Sequence, residues 1–110
     1  MKRIIAVIPR ESLEVVRMAL VALDVGGMTL SDIFEAARGM VRDDECWGLE
    51  QEGMLRVEVL SLSETVDDMV CAIVHGVKET ARKPRGMIFV TELECIIRIR
   101  TQESEAAALL

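Results

Sequence analysis

Tyrosine is absent from this sequence, and Phe34, Trp47 and Phe89 are its only aromatic residues. Any core must therefore be aliphatic, and an aromatic platform for stacking nucleic-acid bases is excluded. Seven glycines and two prolines in 110 residues, with 51% apolar residues, exclude a disordered or collagenous chain. Cations are outnumbered, 13 against 19 acids, and a net charge of −6 does not suit a polymer of phosphates. Three cysteines, Cys46, Cys71 and Cys95, contain no C-x-x-C and cannot pair completely, so no disulfide framework is read. The opening MKRIIAVIPR is too short in apolar residues for a leader, which sets the expectation of a reduced, cytoplasmic setting. No apolar run reaches the roughly 18 residues of a membrane span. The one histidine, His75, has no Cys or His three or four residues after it, so no metal site is expected. The common hydrolase and nucleotide-loop motifs are missing, and no residue nominates itself for catalysis.

What is present is one domain's worth of chain, residues 1–110, with alternating periods. The β-branched run 2–8 (KRIIAVI), closed by Pro9, predicts a buried strand. Leu13, Val16, Leu20 and Leu23 recur at helical spacing and predict a helix over 12–24, ended by Gly26 and Gly27. A weakly alternating second strand is expected at 28–36 and a half-buried third at 54–60, where Leu55, Val57 and Val59 alternate with Arg56 and Glu58. Ser61 with Glu64 fits a capping box. Behind it Val66, Met69, Val70, Ile73, Val74 and Val77 form the clearest helical stripe in the chain. Residues 87–91 (MIFVT) read as a fourth strand, 95–100 (CIIRIR) as a short fifth, and 102–110 as a loose tail. The order βαββαβ predicts an α+β, ferredoxin-like sandwich: a four-stranded antiparallel sheet with two helices on one face. The other sheet face keeps apolar residues, which a homo-oligomer would cover.

Two features point beyond packing. Residues 38–53 are far longer than a hairpin turn, show no strand period, and between 41 and 52 set Arg42 against five acids around Trp47. Two readings stand: a solvated acidic loop with Trp47 folded back, or an arm offering Trp47, flanked by Arg42 and Glu45, to a protein partner. The second feature is basic. Residues 78–85 hold four cations against one acid, a local net of +3 in an acidic chain, and Arg38, Arg98 and Arg100 lie just outside strand ends. Guanidinium groups on alternate strand positions beside a basic loop can clamp a phosphate. They can equally pair with nearby carboxylates.

These residues resemble the PII signal-transduction proteins, in the family's order and over most of the chain. MKRIIAVI is similar to the family's first strand, and GGMTL (26–30) to its G-M-T turn. Arg38 matches the arginine at the base of the T-loop, and RVEVL (56–60) the strand leaving that loop. GMIFV (86–90) and IIRIRT (96–101) resemble the closing G-K-I-F-V and I-R-I-R-T. The resemblance implies a homotrimer with an adenine nucleotide (ATP, ADP or AMP) between subunits. Gly27, Met28, Thr29 and the end of strand three would lie near the base. Arg98, Arg100 and Arg38 would reach the phosphates, with Arg82, Arg85 and Gly86 in the B-loop at 80–87. The T-loop arm at 38–53 would dock on a transporter, enzyme or regulator, in the service of nitrogen regulation and without enzymatic activity.

The departures are specific. The B-loop reads TARKPRGM, with Met87 where the family has a phosphate-binding lysine and Pro84 lacking an N–H. Glu35 and Ala37 replace common glycines, and Gly39 replaces the glutamine used for Mg-ATP and 2-oxoglutarate. Without that glutamine no 2-oxoglutarate response is expected, with no tyrosine to modify no uridylylation is expected, and ADP or AMP is favoured over Mg-ATP. The alternative is a trimeric interaction module independent of nucleotide, or a sensor of another small anion such as bicarbonate or a carboxylate.

Overall fold

The computed structural model describes residues 1–33, 35–38, 47–50 and 54–104, the two short central stretches by their backbone alone. In chain order the elements are β1 (Lys2–Pro9), α1 (Leu13–Ala22), β2 (Thr29–Asp32), β3 (Glu35–Arg38), β4 (Trp47–Glu50), β5 (Met54–Ser61), α2 (Val66–Thr80) and β6 (Met87–Glu92). Short 3-10 turns, Arg10–Ser12 and Ser63–Thr65, lead into the two helices.

Four strands form one sheet in the order β2-β5-β1-β6, with every neighbouring pair antiparallel. With both helices packed on it, this is the ferredoxin-like plan that the order of periods implied. The alternation in β1 is the cause: Ile4, Ala6 and Ile8 are buried, while Arg3, Ile5 and Val7 are only half-buried. Val57 and Val59 of β5 join the buried set, and Val16 and Leu20 of α1 with Val66, Met69, Ile73 and Val77 of α2 close over it. The helices approach closely where Gly76 meets Val16; a Cβ at position 76 would stand 2.9 Å from Val16 Cγ2. Thr80 Oγ1 then bonds the Gly76 carbonyl at 2.6 Å and the buried Ser12 hydroxyl at 2.9 Å, joining the end of α2 to the start of α1.

Among the described residues no helix covers the opposite face. Arg3, Ile5 and Val7 face it from β1, in register with Leu60, Glu58 and Arg56 of β5 and with Thr91, Phe89 and Met87 of β6. Met87 and Phe89 are 63% and 48% exposed there. Glu58 takes Arg3 at 3.4 Å and Arg56 at 3.4 Å, one carboxylate between two guanidinium groups.

Four expectations are corrected. The second strand is not continuous over 28–36: β2 stops at Asp32, and Glu35–Arg38 pairs instead with Trp47–Glu50 in a separate two-stranded ribbon. That ribbon also places a strand inside 38–53, where no period was visible. The capping box at Ser61 does not form, because Ser61 ends β5 fully buried and its hydroxyl bonds Leu62 O (2.8 Å) and Thr65 Oγ1 (2.7 Å). The fifth strand at 95–100 is reduced to a single bridge between Ile97 and Ser104, since the chain turns back through Gln102 N–H to Arg98 O (2.7 Å). Finally, α1 ends before its glycines. Asp24 takes the left-handed position (φ 62°), with Asp24 N–H to Val21 O at 3.0 Å and Val25 N–H to Leu20 O at 3.2 Å, a Schellman motif.

An acidic residue in that position carries a Cβ penalty and faces the negative end of the helix. Asp24→Gly is therefore expected to stabilise the fold by about 1 kcal/mol. Thermal unfolding followed by circular dichroism checks this, and an unchanged or lowered midpoint contradicts it.

Candidate functional site

The turn after α1, the end of β5 and the start of α2 border a half-open cavity of about 840 Å³. One wall is the segment Leu23–Thr29, which the early end of α1 lays across the end of the sheet. Leu60, Ser61 and Leu62 supply a second wall, and Thr65 and Met69 close it from α2. Arg98 stands at its rim, held by the turn in which its N–H reaches Glu103 O at 2.8 Å. The side chains therefore offer an apolar floor (Met28, Leu60, Leu62, Met69), hydroxyls at Thr29 and Thr65, two carboxylates at Asp24 and Glu58, and one guanidinium. Such a lining suits the neutral part of a ligand, with a single cation for a charged end.

Of the residues singled out from sequence, Gly27, Met28, Thr29 and Arg98 meet in this cavity. Arg100 lies two residues on, in the same exposed turn but not in the wall. Arg82, Arg85 and Gly86 lie elsewhere. Gly86 packs on Val7 O and Ile8 Cα, at the far end of β1 from Arg3, which pairs with Leu60. Five residues of strand separate the two places, about 17 Å. Arg85 and Gly86, with Pro84 and Lys78, line a smaller cavity of about 230 Å³ against Val74, Val77 and Ile88. Arg38 and Trp47 are opposite each other in the β3–β4 register. Arg42 and Glu45 lie outside the described residues.

Sequence reasoning missed Asp24, Glu58, Thr65 and Met69. Glu58 reads as an ordinary outward residue of an alternating strand, and Met69 as part of the core stripe. Only the fold shows that both end at the cavity. His75 is on the exposed side of α2, 3.4 Å from Glu79. Among the described residues no cluster of three His, Cys, Asp or Glu side chains could hold a metal, and no helix is long and apolar enough to cross a membrane.

Comparison with known proteins follows the same arrangement. A family model described as nitrogen regulatory protein P-II matches residues 1–103. A nitrogen regulatory protein P-II of Rhizobium etli is 33% identical over 99% of this chain and 100% of its own length. Nitrogen regulatory protein P-II 1 of Methanothermobacter thermautotrophicus is 37% identical over 94% of this chain and 92% of its own. Nitrogen regulatory protein GlnK of Escherichia coli is 30% identical over 99% and 100%.

Proposed function

From the premise that this chain belongs to the nitrogen regulatory protein P-II family, whose members are regulators and not enzymes, we propose that it binds an adenine nucleotide and controls a target protein through its arm. One observation supports the reading above the others: Gly27, Met28, Thr29 and Arg98 border a single cavity large enough for a base and ribose. The cations suited to phosphates, Arg82 and Arg85 beside Gly86, sit at the other end of the same subunit. A homotrimer would bring the base-binding end of one copy beside the basic loop of the next, and its uncovered sheet face offers Met87 and Phe89 for burial. Arg38 and Arg100 complete the proposed phosphate contacts. The target is a protein met by Trp47, Arg42 and Glu45, and nitrogen status is the regulated quantity. The setting is the cytoplasm.

Met87 and Pro84 leave the basic loop short of a lysine and a backbone donor, so ADP and AMP are preferred over Mg-ATP. Isothermal titration of ATP, ADP and AMP, with and without Mg²⁺, on protein whose mass is measured by light scattering, tests this. We expect a trimer that binds ADP and AMP and gains nothing from Mg²⁺. Arg98→Ala and Arg100→Ala should each weaken ADP about tenfold or more, the effect of a lost charge-assisted bond. A monomer giving no heat with any nucleotide overturns the reading. The same Pro84 and Met87 favour the second reading, a trimer responding to bicarbonate or a carboxylate, and heat with those anions alone would select it.

A further inference from the structure

Three consecutive residues between β1 and α1 each fasten a different part of the molecule. Arg10 pairs through Nη2 with Oδ1 of Asp32, the last residue of β2 before the arm. Glu11 accepts the backbone N–H of Arg82 on Oε2 at 3.0 Å. Ser12, fully buried, meets the Thr80 hydroxyl at 2.9 Å and fixes the turn to the end of α2. A carboxylate is thus held on a backbone N–H of the segment whose net charge is +3. Glu11 is the residue between the one that anchors the turn and the one that holds the arm's base.

We propose that the turn Arg10–Ser12 couples the basic loop 80–87 to the base of the arm. An anion taken up by the loop displaces Glu11 from the Arg82 N–H, and the adjoining Arg10–Asp32 pair shifts with it. Both contacts are solvent-exposed, so each is weak and exchangeable, as a connection that responds to ligand must be. The identity of the anion rests on the nucleotide reading above; the contacts do not.

The test titrates ADP into the full chain while following heat and the emission of Trp47, the sole tryptophan, which the β3–β4 register sets opposite Arg38. Wild type should bind ADP with a change in emission. Glu11→Gln should bind roughly threefold tighter, because a competing unit charge is removed from the loop. Arg10→Ala and Asp32→Ala should keep the wild-type affinity and lose most of the emission change. An unchanged emission in wild type, a full change in both variants, or no gain in Glu11→Gln overturns the coupling. If ADP gives no heat with wild type, the nucleotide reading fails instead, and the same series with inorganic pyrophosphate decides the coupling: no heat there overturns it too.

Discussion

Gly86→Ala should destabilise the fold by about 3 kcal/mol or more, a larger effect than an added methyl group at Gly27 or Gly76. Gly86 has φ +120°, a conformation that L side chains rarely adopt, and a Cβ there would stand 1.9 Å from the carbonyl oxygen of Val7. Neither atom can move away cheaply. Val7 is paired in β1 with Met87 on one side and Arg56 on the other, so a shift of its carbonyl breaks the register of two strand pairs. Gly27→Ala is the matched control: nothing lies within 4 Å of a Cβ at that position, and its cost should stay within about 0.5 kcal/mol. Urea denaturation of the two variants gives the comparison. Equal midpoints would show that the loop before β6 yields to accommodate the methyl group. The same close approach fixes where the basic loop begins its return to the sheet, so partly folded Gly86 variants should also bind anions poorly.

Ile73→Ala should cost about 2–5 kcal/mol, the range for truncating a buried aliphatic side chain. Ile73 is 1% exposed at the centre of the core, where α2 faces Ile4 and Ala6 of β1 and Val57 and Val59 of β5. Two conditions push the effect upward. Among the described residues no buried aromatic side chain could swing into the space. The Gly76–Val16 contact and the Thr80–Ser12 bond also keep α2 from sinking toward the sheet. Val74→Ala, one residue on and 39% exposed, should cost less than about 1 kcal/mol. Thermal or urea unfolding of the pair measures the contrast, and a similar loss in both would place the centre of packing elsewhere.

The parts of this fold that were legible from sequence are those in which side-chain burial sets the period. β1, β5 and α2 each show it: Ile4, Ala6 and Ile8 alternate, and Met69, Ile73 and Val77 recur at a spacing of four. The two strands of the separate ribbon carry no such signal. Glu35–Arg38 and Trp47–Glu50 pair Ala36 with Leu49 and Ala37 with Gly48, combinations that carry no alternation to read. Asp24 was passed over because glycine is the expected residue at a left-handed helix end, and two glycines followed close behind. Ser61 has the chemistry of a cap but is spent inside the strand. The alternating arginines of 96–100 suggest a strand, yet β6 already ends the sheet and the segment folds back on itself instead. The cavity was half legible. Gly27, Met28, Thr29 and Arg98 came from resemblance to a family, and their meeting in one cavity is a product of chain topology. Asp24 and Glu58 had no signature that a single sequence displays.

Glu58 also has a bearing on how this chain can change over time. Its carboxylate is shared by Arg3 and Arg56, and it reaches the cavity wall from the same strand position. Losing it alone would leave two neighbouring positive charges facing each other on an apolar surface, whereas losing either arginine alone leaves the other still paired. Mutational drift at these three sites is therefore ordered: a cation can go first and the acid only afterwards, so the acid should be the slowest of the three to be replaced.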